Sequence, residues 1–152
     1  MKKYLFMIIF GFSSCVFADS LKPLNQIATK STLMNQDPVT IGYVFLRCSA
    51  AYAVMSTIGS ERMNMPKKRT DEVMRYSTDY LAASIQLDQL NESGNKSKNK
   101  MTDTEVMQNS VDMQKRLIGY YFSELKAAKD KTGDYFSGNF LGDVEFCSSL
   151  GK

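Results

Sequence analysis

The stretch GYVFLRCSAAYAVMSTIG, residues 42–59, decides how this chain folds. It is the most apolar part of the chain after the N-terminus and holds one charge, Arg47, with Cys48 directly after it. A membrane span, the helix of a catalytic thiol and one wall of a soluble core would each look broadly like this. The spacing separates them. Ile41, Val44, Cys48, Ala51, Met55 and Ile58 recur at alternating steps of three and four, which is one face of an α-helix. Asp37 stands ready as an N-cap and Pro38 at the first helical position, where its missing N–H costs nothing. A charge in the middle of the run disfavours lipid, and Gly59 is a natural end. The stretch reads as a buried helix of a soluble core.

A second helix is expected after ERMNMP, the connection carrying Pro66. Val73, Tyr76, Tyr80, Ala83, Leu87 and Leu90 repeat the 3/4 spacing, with Met74 and Leu81 widening the stripe. The polar run NESGNKSKNK, residues 91–100, ends it as a solvated loop. Then TDTE supplies a capping box, Thr102 with Glu105, for a third helix. Its face carries Val106, Ser110, Met113, Leu117 and Tyr120, and Gly133 terminates it. A short last helix over residues 140–150 sets Phe140, Val144 and Cys147 on a common side. Residues 20–35 permit a short helix or a packed coil. No strand pattern is present. The fold class is therefore all-α: a small bundle of three long helices and a short C-terminal one.

The N-terminus has the make-up of a secretory signal. MKK is a basic n-region, YLFMIIFGF an apolar core, and Val16 and Ala18 fit the small-residue cleavage positions. The apolar run is nine residues, against roughly 20 for a bilayer-spanning helix. Cleavage after Ala18 gives three parts: residues 1–18 as signal peptide, 19–36 as an N-terminal coil or short helix, and 37–152 as the bundle. The competing reading is a lipoprotein anchored at Cys15, but Phe12 occupies the position where a lipobox carries an aliphatic residue. The expected location is periplasmic or secreted, with no membrane span after cleavage.

Two of the three cysteines remain after cleavage, Cys48 and Cys147. In an exported chain an even pair reads as a disulfide. Closing a loop of about 100 residues is worth on the order of 4–5 kcal/mol in the chain-entropy model. Losing Lys2 and Lys3 from the 19 basic side chains leaves a near balance with 16 acidic ones, so nucleic acid is not an expected partner.

Chemistry is bounded chiefly by the absence of histidine from the whole sequence. Ser-His-Asp and Cys-His catalysis, histidine-bearing metal sites and histidine-ligated haem are all excluded. There is no C-x-x-C and no phosphate-binding glycine loop. No cofactor is expected and no catalytic residue is assigned. Arg47 beside Cys48 does not make a nucleophile without a base. Asp71, Glu72, Asp143 and Glu145 read as helix-start carboxylates, and Asp79 and Asp88 as residues on outer faces or flanking the stripe. Met63 and Met65, with Met74 and Met101 grouped nearby, form the one soft-ligand set that could hold Cu(I). Methionines in helical proteins otherwise fill gaps in cores.

The functional expectation is a non-enzymatic exported protein of the bacterial envelope. It would act by binding a protein or ligand, in an accessory, chaperone-like or inhibitor-like role. The alternatives are a periplasmic small-molecule or Cu(I) binder, and third a hydrolase built on carboxylates.

Overall fold

In the computed structural model, which describes residues 21–96, 99–136 and 138–151, the chain is a helical bundle. The signal segment, Cys15 and Lys98 lie outside the described residues. Two single-turn helices come first, α1 (Leu24–Ile27) and α2 (Lys30–Leu33). The three long helices follow: α3 (Pro38–Glu61), α4 (Lys67–Gly94) and α5 (Asp103–Thr132). The short α6 (Asn139–Leu150) ends the chain. No strand occurs among the described residues.

The helix ends follow their local chemistry. Asp37 accepts from the Thr40 amide at the start of α3, with Pro38 at N1. Thr102 and Glu105 form the reciprocal capping box of α5. Gly133 closes α5 in the left-handed region, φ 77°, and its amide bonds to the Lys129 carbonyl. α6 has no side-chain cap of its own. Its first amide, Asn139 N–H, donates instead to Glu124 of α5 at 2.7 Å. The expected end of the second helix is corrected: α4 runs on through Asn91–Gly94, because nothing before Asn95 forbids another turn.

α3 is the centre of the molecule. Its helical stripe is buried as expected except for partly buried Met55, but so are Leu46, Arg47, Ser49, Ala50, Val54 and Ser56 on its other sides. A helix enclosed all round belongs to an interior. By length and composition α3 could cross a membrane (mean hydropathy 1.3), yet 67% of that window is buried inside the protein. One half of α3 packs with Leu117, Tyr121 and Leu125 of α5 and Phe140 of α6. The other half packs with Leu24, Ala28, Leu33 and the end of α6.

The face that α4 turns inward differs from the expected stripe. Its buried residues are Thr70, Ser77 and Ser84, while Tyr76 and Leu90 are exposed. These three stand seven apart, as do Gly42, Ser49 and Ser56 on antiparallel α3. The two sets meet rung by rung. Ser84 Oγ donates to the Gly42 carbonyl (2.9 Å) and Ser77 Oγ to that of Ser49 (2.8 Å). Ser49 Oγ donates to the Ser77 carbonyl (2.7 Å) and Ser56 Oγ to that of Thr70 (3.0 Å). Small side chains let the backbones come close enough for hydroxyls to reach carbonyls directly. The same closeness leaves little room at Gly42, where an added Cβ would lie 3.1 Å from Asp88 Oδ1.

This seam sets a graded prediction. Ser77→Ala removes hydroxyl bonds and should cost about 1 kcal/mol. Ser77→Leu must force the helices apart and should cost about 1–3 kcal/mol from overpacking, on top of that loss. Urea unfolding followed by circular dichroism would show the midpoints falling in that order.

Cys48 and Cys147 stand at disulfide distance, Sγ–Sγ 2.04 Å and Cα–Cα 5.5 Å, across 99 residues of sequence. The bond fastens α6 to the middle of α3.

Candidate functional site

Arg47 is the side chain whose position demanded an explanation, and it is entirely buried. Its guanidinium pairs with the Asp143 carboxylate, donates to the Tyr121 hydroxyl and donates to the Lys22 carbonyl. Tyr121 donates to the same carboxylate, and Asp143 Oδ1 accepts the Leu24 amide at 2.9 Å. Four segments are joined through one ion pair: the N-terminal segment, α3, α5 and α6. Asp143 is thus not a helix-start carboxylate but the internal counter-ion of Arg47. Burial, followed by the neighbouring Asp143, holds the Tyr121 hydroxyl far above the ordinary phenol range. Arg47, Tyr121 and Asp143 all have zero exposure, so the cluster has no contact with solvent or solute. Its chemistry is spent inside the fold.

The remaining acidic residues divide plainly. Asp71, Glu72 and Asp79 form exposed ion pairs with Lys67, Arg69 and Arg75. Pairs of this kind contribute little. Met63 is exposed, and Met65 lies against α3 at Gly59. Met74 and Met101, grouped with them by sequence, line two different recesses. The tyrosines fall into separate groups. Tyr120 accepts the Leu21 amide, and Tyr135 accepts from Arg62 and Lys129. Phe45, Tyr80, Tyr52 and Tyr76 form a ladder along α3 and α4, with centroids 5.5, 5.8 and 5.6 Å apart. Burial beside Tyr52 pushes the Tyr80 hydroxyl up to about 12.

An open recess with apolar walls holds carboxylates and no basic residue among its lining. It lies among α3, α4 and α5, with a volume of about 290 Å³. Leu46 and Val106 are its buried apolar residues, and Val39, Met101 and Met113 its exposed ones. Asp88, expected on an outer face or flanking the stripe, also lines it. Asp88 is partly buried, and its Oδ2 accepts from Ser110 Oγ at 3.1 Å. Burial raises the Asp88 carboxyl above its ordinary value of 3.8, against the lowering effect of the Ser110 bond.

The sign of that shift is testable. Between 3.8 and the raised value, folded Asp88 holds a proton that the unfolded chain releases. Its contribution to stability is therefore present at acid pH and lost as pH rises through the raised value. Asp88→Asn cannot lose the proton. The variant should melt near wild type below pH 3.8 and above it at neutral pH, a divergence that melting curves across pH would record.

Comparison with protein-family models, curated proteins and solved structures found no match. The functional reading therefore stands on the residues alone.

Proposed function

We propose that this chain is an exported binding protein of the bacterial envelope that acts by engaging a protein partner rather than by catalysis. The observation that carries this reading is the apolar recess among α3, α4 and α5, rimmed by exposed Val39, Met101 and Met113. Methionine suits such a surface, since its flexible thioether adapts to the shape presented to it. The division of charge supports it too. The tightest cluster of titratable groups, Arg47 with Tyr121 and Asp143, is sealed within the core and holds segments together. Export is supported by the signal-like N-terminus, and by the Cys48–Cys147 pair, which suits an oxidising compartment.

Purification of the tagged protein from envelope extract tests this, with Met113→Arg as the companion variant. Met113 is 41% exposed, so arginine there fills the recess without entering the core. The expected result is a partner retained in fixed proportion by wild type and lost by the variant. Recovery of the protein alone at several pH values, or a partner indifferent to the variant, would contradict the proposal.

A further inference from the structure

We infer that the recess receives a lysine side chain of the partner, with Asp88 as its counter-ion. This deepens the proposed function and rests on it. The first argument is charge. Twelve residues line the recess; Asp88 and Glu92 are carboxylates and none is basic. The protein contains its own comparison in Asp143, which is buried and meets Arg47. Asp88 is held partly out of water beside apolar side chains and, among the described residues, has the Ser110 hydroxyl as its one hydrogen-bond partner. A carboxylate accepts at about four lone-pair positions, so one hydroxyl leaves most of that capacity open. Removing a charge from water without a counter-charge is unfavourable. A cation supplied from outside relieves that cost only when bound.

The second argument is shape. At about 290 Å³ the recess lies at the lower edge of small-molecule pockets, roughly 300–1,000 Å³. It suits one long side chain rather than a cofactor. A lysine stem lays methylenes against Met101 and Met113 while its ammonium reaches the polar end. The third is donor geometry. Asp88 Oδ2 already accepts from Ser110 and Oδ1 lies close to Gly42 of α3, so neither oxygen is wholly free, though each keeps a lone pair. That arrangement disfavours the two-pronged grip of arginine and accepts a point charge. The ammonium has three donors for Asp88, Glu92 and a side-chain amide oxygen of Asn91 or Asn109, which also line the recess.

Two experiments decide it. In the first, methyl-labelled methionine signals of Met101 and Met113 are followed as n-butylammonium or the neutral 1-butanol is added. The ammonium should shift both signals, the alcohol should bind more weakly, and Asp88→Asn should weaken the ammonium by about tenfold or more. Equal binding of alcohol and ammonium, or an Asp88→Asn variant that binds as wild type does, overturns the proposal. In the second, a photo-crosslinking amino acid at position 39, on the exposed rim, captures the envelope partner. The captured peptide should contain a lysine beside apolar residues, and Asp88→Asn should lose the partner while remaining at least as stable as wild type. A partner lost with Met113→Arg but kept by Asp88→Asn sinks the lysine and leaves the binding role standing. Asp88-dependent butylammonium binding with no protein partner assigns the recess to a free amine and sinks both.

Discussion

Arg47→Ala is expected to be among the most damaging single substitutions in this protein, with a loss of about 3–5 kcal/mol. The argument is not that the ion pair is strong. Two charges removed from water and then paired come out near balance, but removing one partner leaves the other buried and alone. Here the damage spreads. Asp143 loses its counter-ion, the Lys22 carbonyl loses its donor, and Tyr121 is left holding one side of a three-membered cluster. For a chain of this size the loss corresponds to a fall in melting temperature of roughly 10–20 °C. The double variant Arg47→Met with Asp143→Leu should recover most of it, since matched apolar groups leave no stranded charge. A double variant no better than Arg47→Ala would mean that the links to the N-terminal segment matter more than the charges do.

Breaking the Cys48–Cys147 bond is the second large effect. Reduction, or Cys48→Ser with Cys147→Ser, should cost about 2–5 kcal/mol. The bond sits beside the buried ion pair at both ends. Cys48 follows Arg47 on α3, and Cys147 lies one helical turn after Asp143 on α6. Both fasten α6 to the centre of α3, so their losses should not add independently. Hydrogen exchange under reducing conditions should show the α6 amides, residues 139–150, opening before those of the α3–α4 seam, whose hydroxyl–carbonyl bonds are untouched. Uniform opening of the whole chain would contradict that order.

Much of the architecture was legible because it rests on local chemistry. Asp37 before Pro38, Thr102 before Glu105 and Gly133 mark helix ends wherever they occur, and they do so here. The 3/4 periodicity placed the long helices, and Cys48 and Cys147, the two cysteines outside the signal-like segment, have one way to pair. The inward face of α4 was not read from its tyrosines and leucines, because the contact is made by small polar residues. Hydropathy places Thr70, Ser77 and Ser84 outside. Their spacing of seven, matched by Gly42, Ser49 and Ser56, was the available signal. Asp143 was misplaced for a different reason: a helix-start carboxylate and a buried counter-ion look alike in sequence. Arg47 held the clue, since a charge in a buried helix must find an opposite one. The recess could not be read at all. Val39, Asp88 and Met113 meet only once three helices have packed, and no motif marks Asp88.

Export, and the clamping of the central helix to the last by one disulfide, meet in a single test. Intact mass of the protein recovered from its native host, before and after reduction, tests this most directly. The expected product is a chain beginning at Asp19, lighter than its reduced form by the two hydrogens of one disulfide, with no thiol open to alkylation until it is unfolded and reduced. A chain that keeps Met1, one that begins at an acylated Cys15, or two alkylatable thiols in the native protein would contradict it.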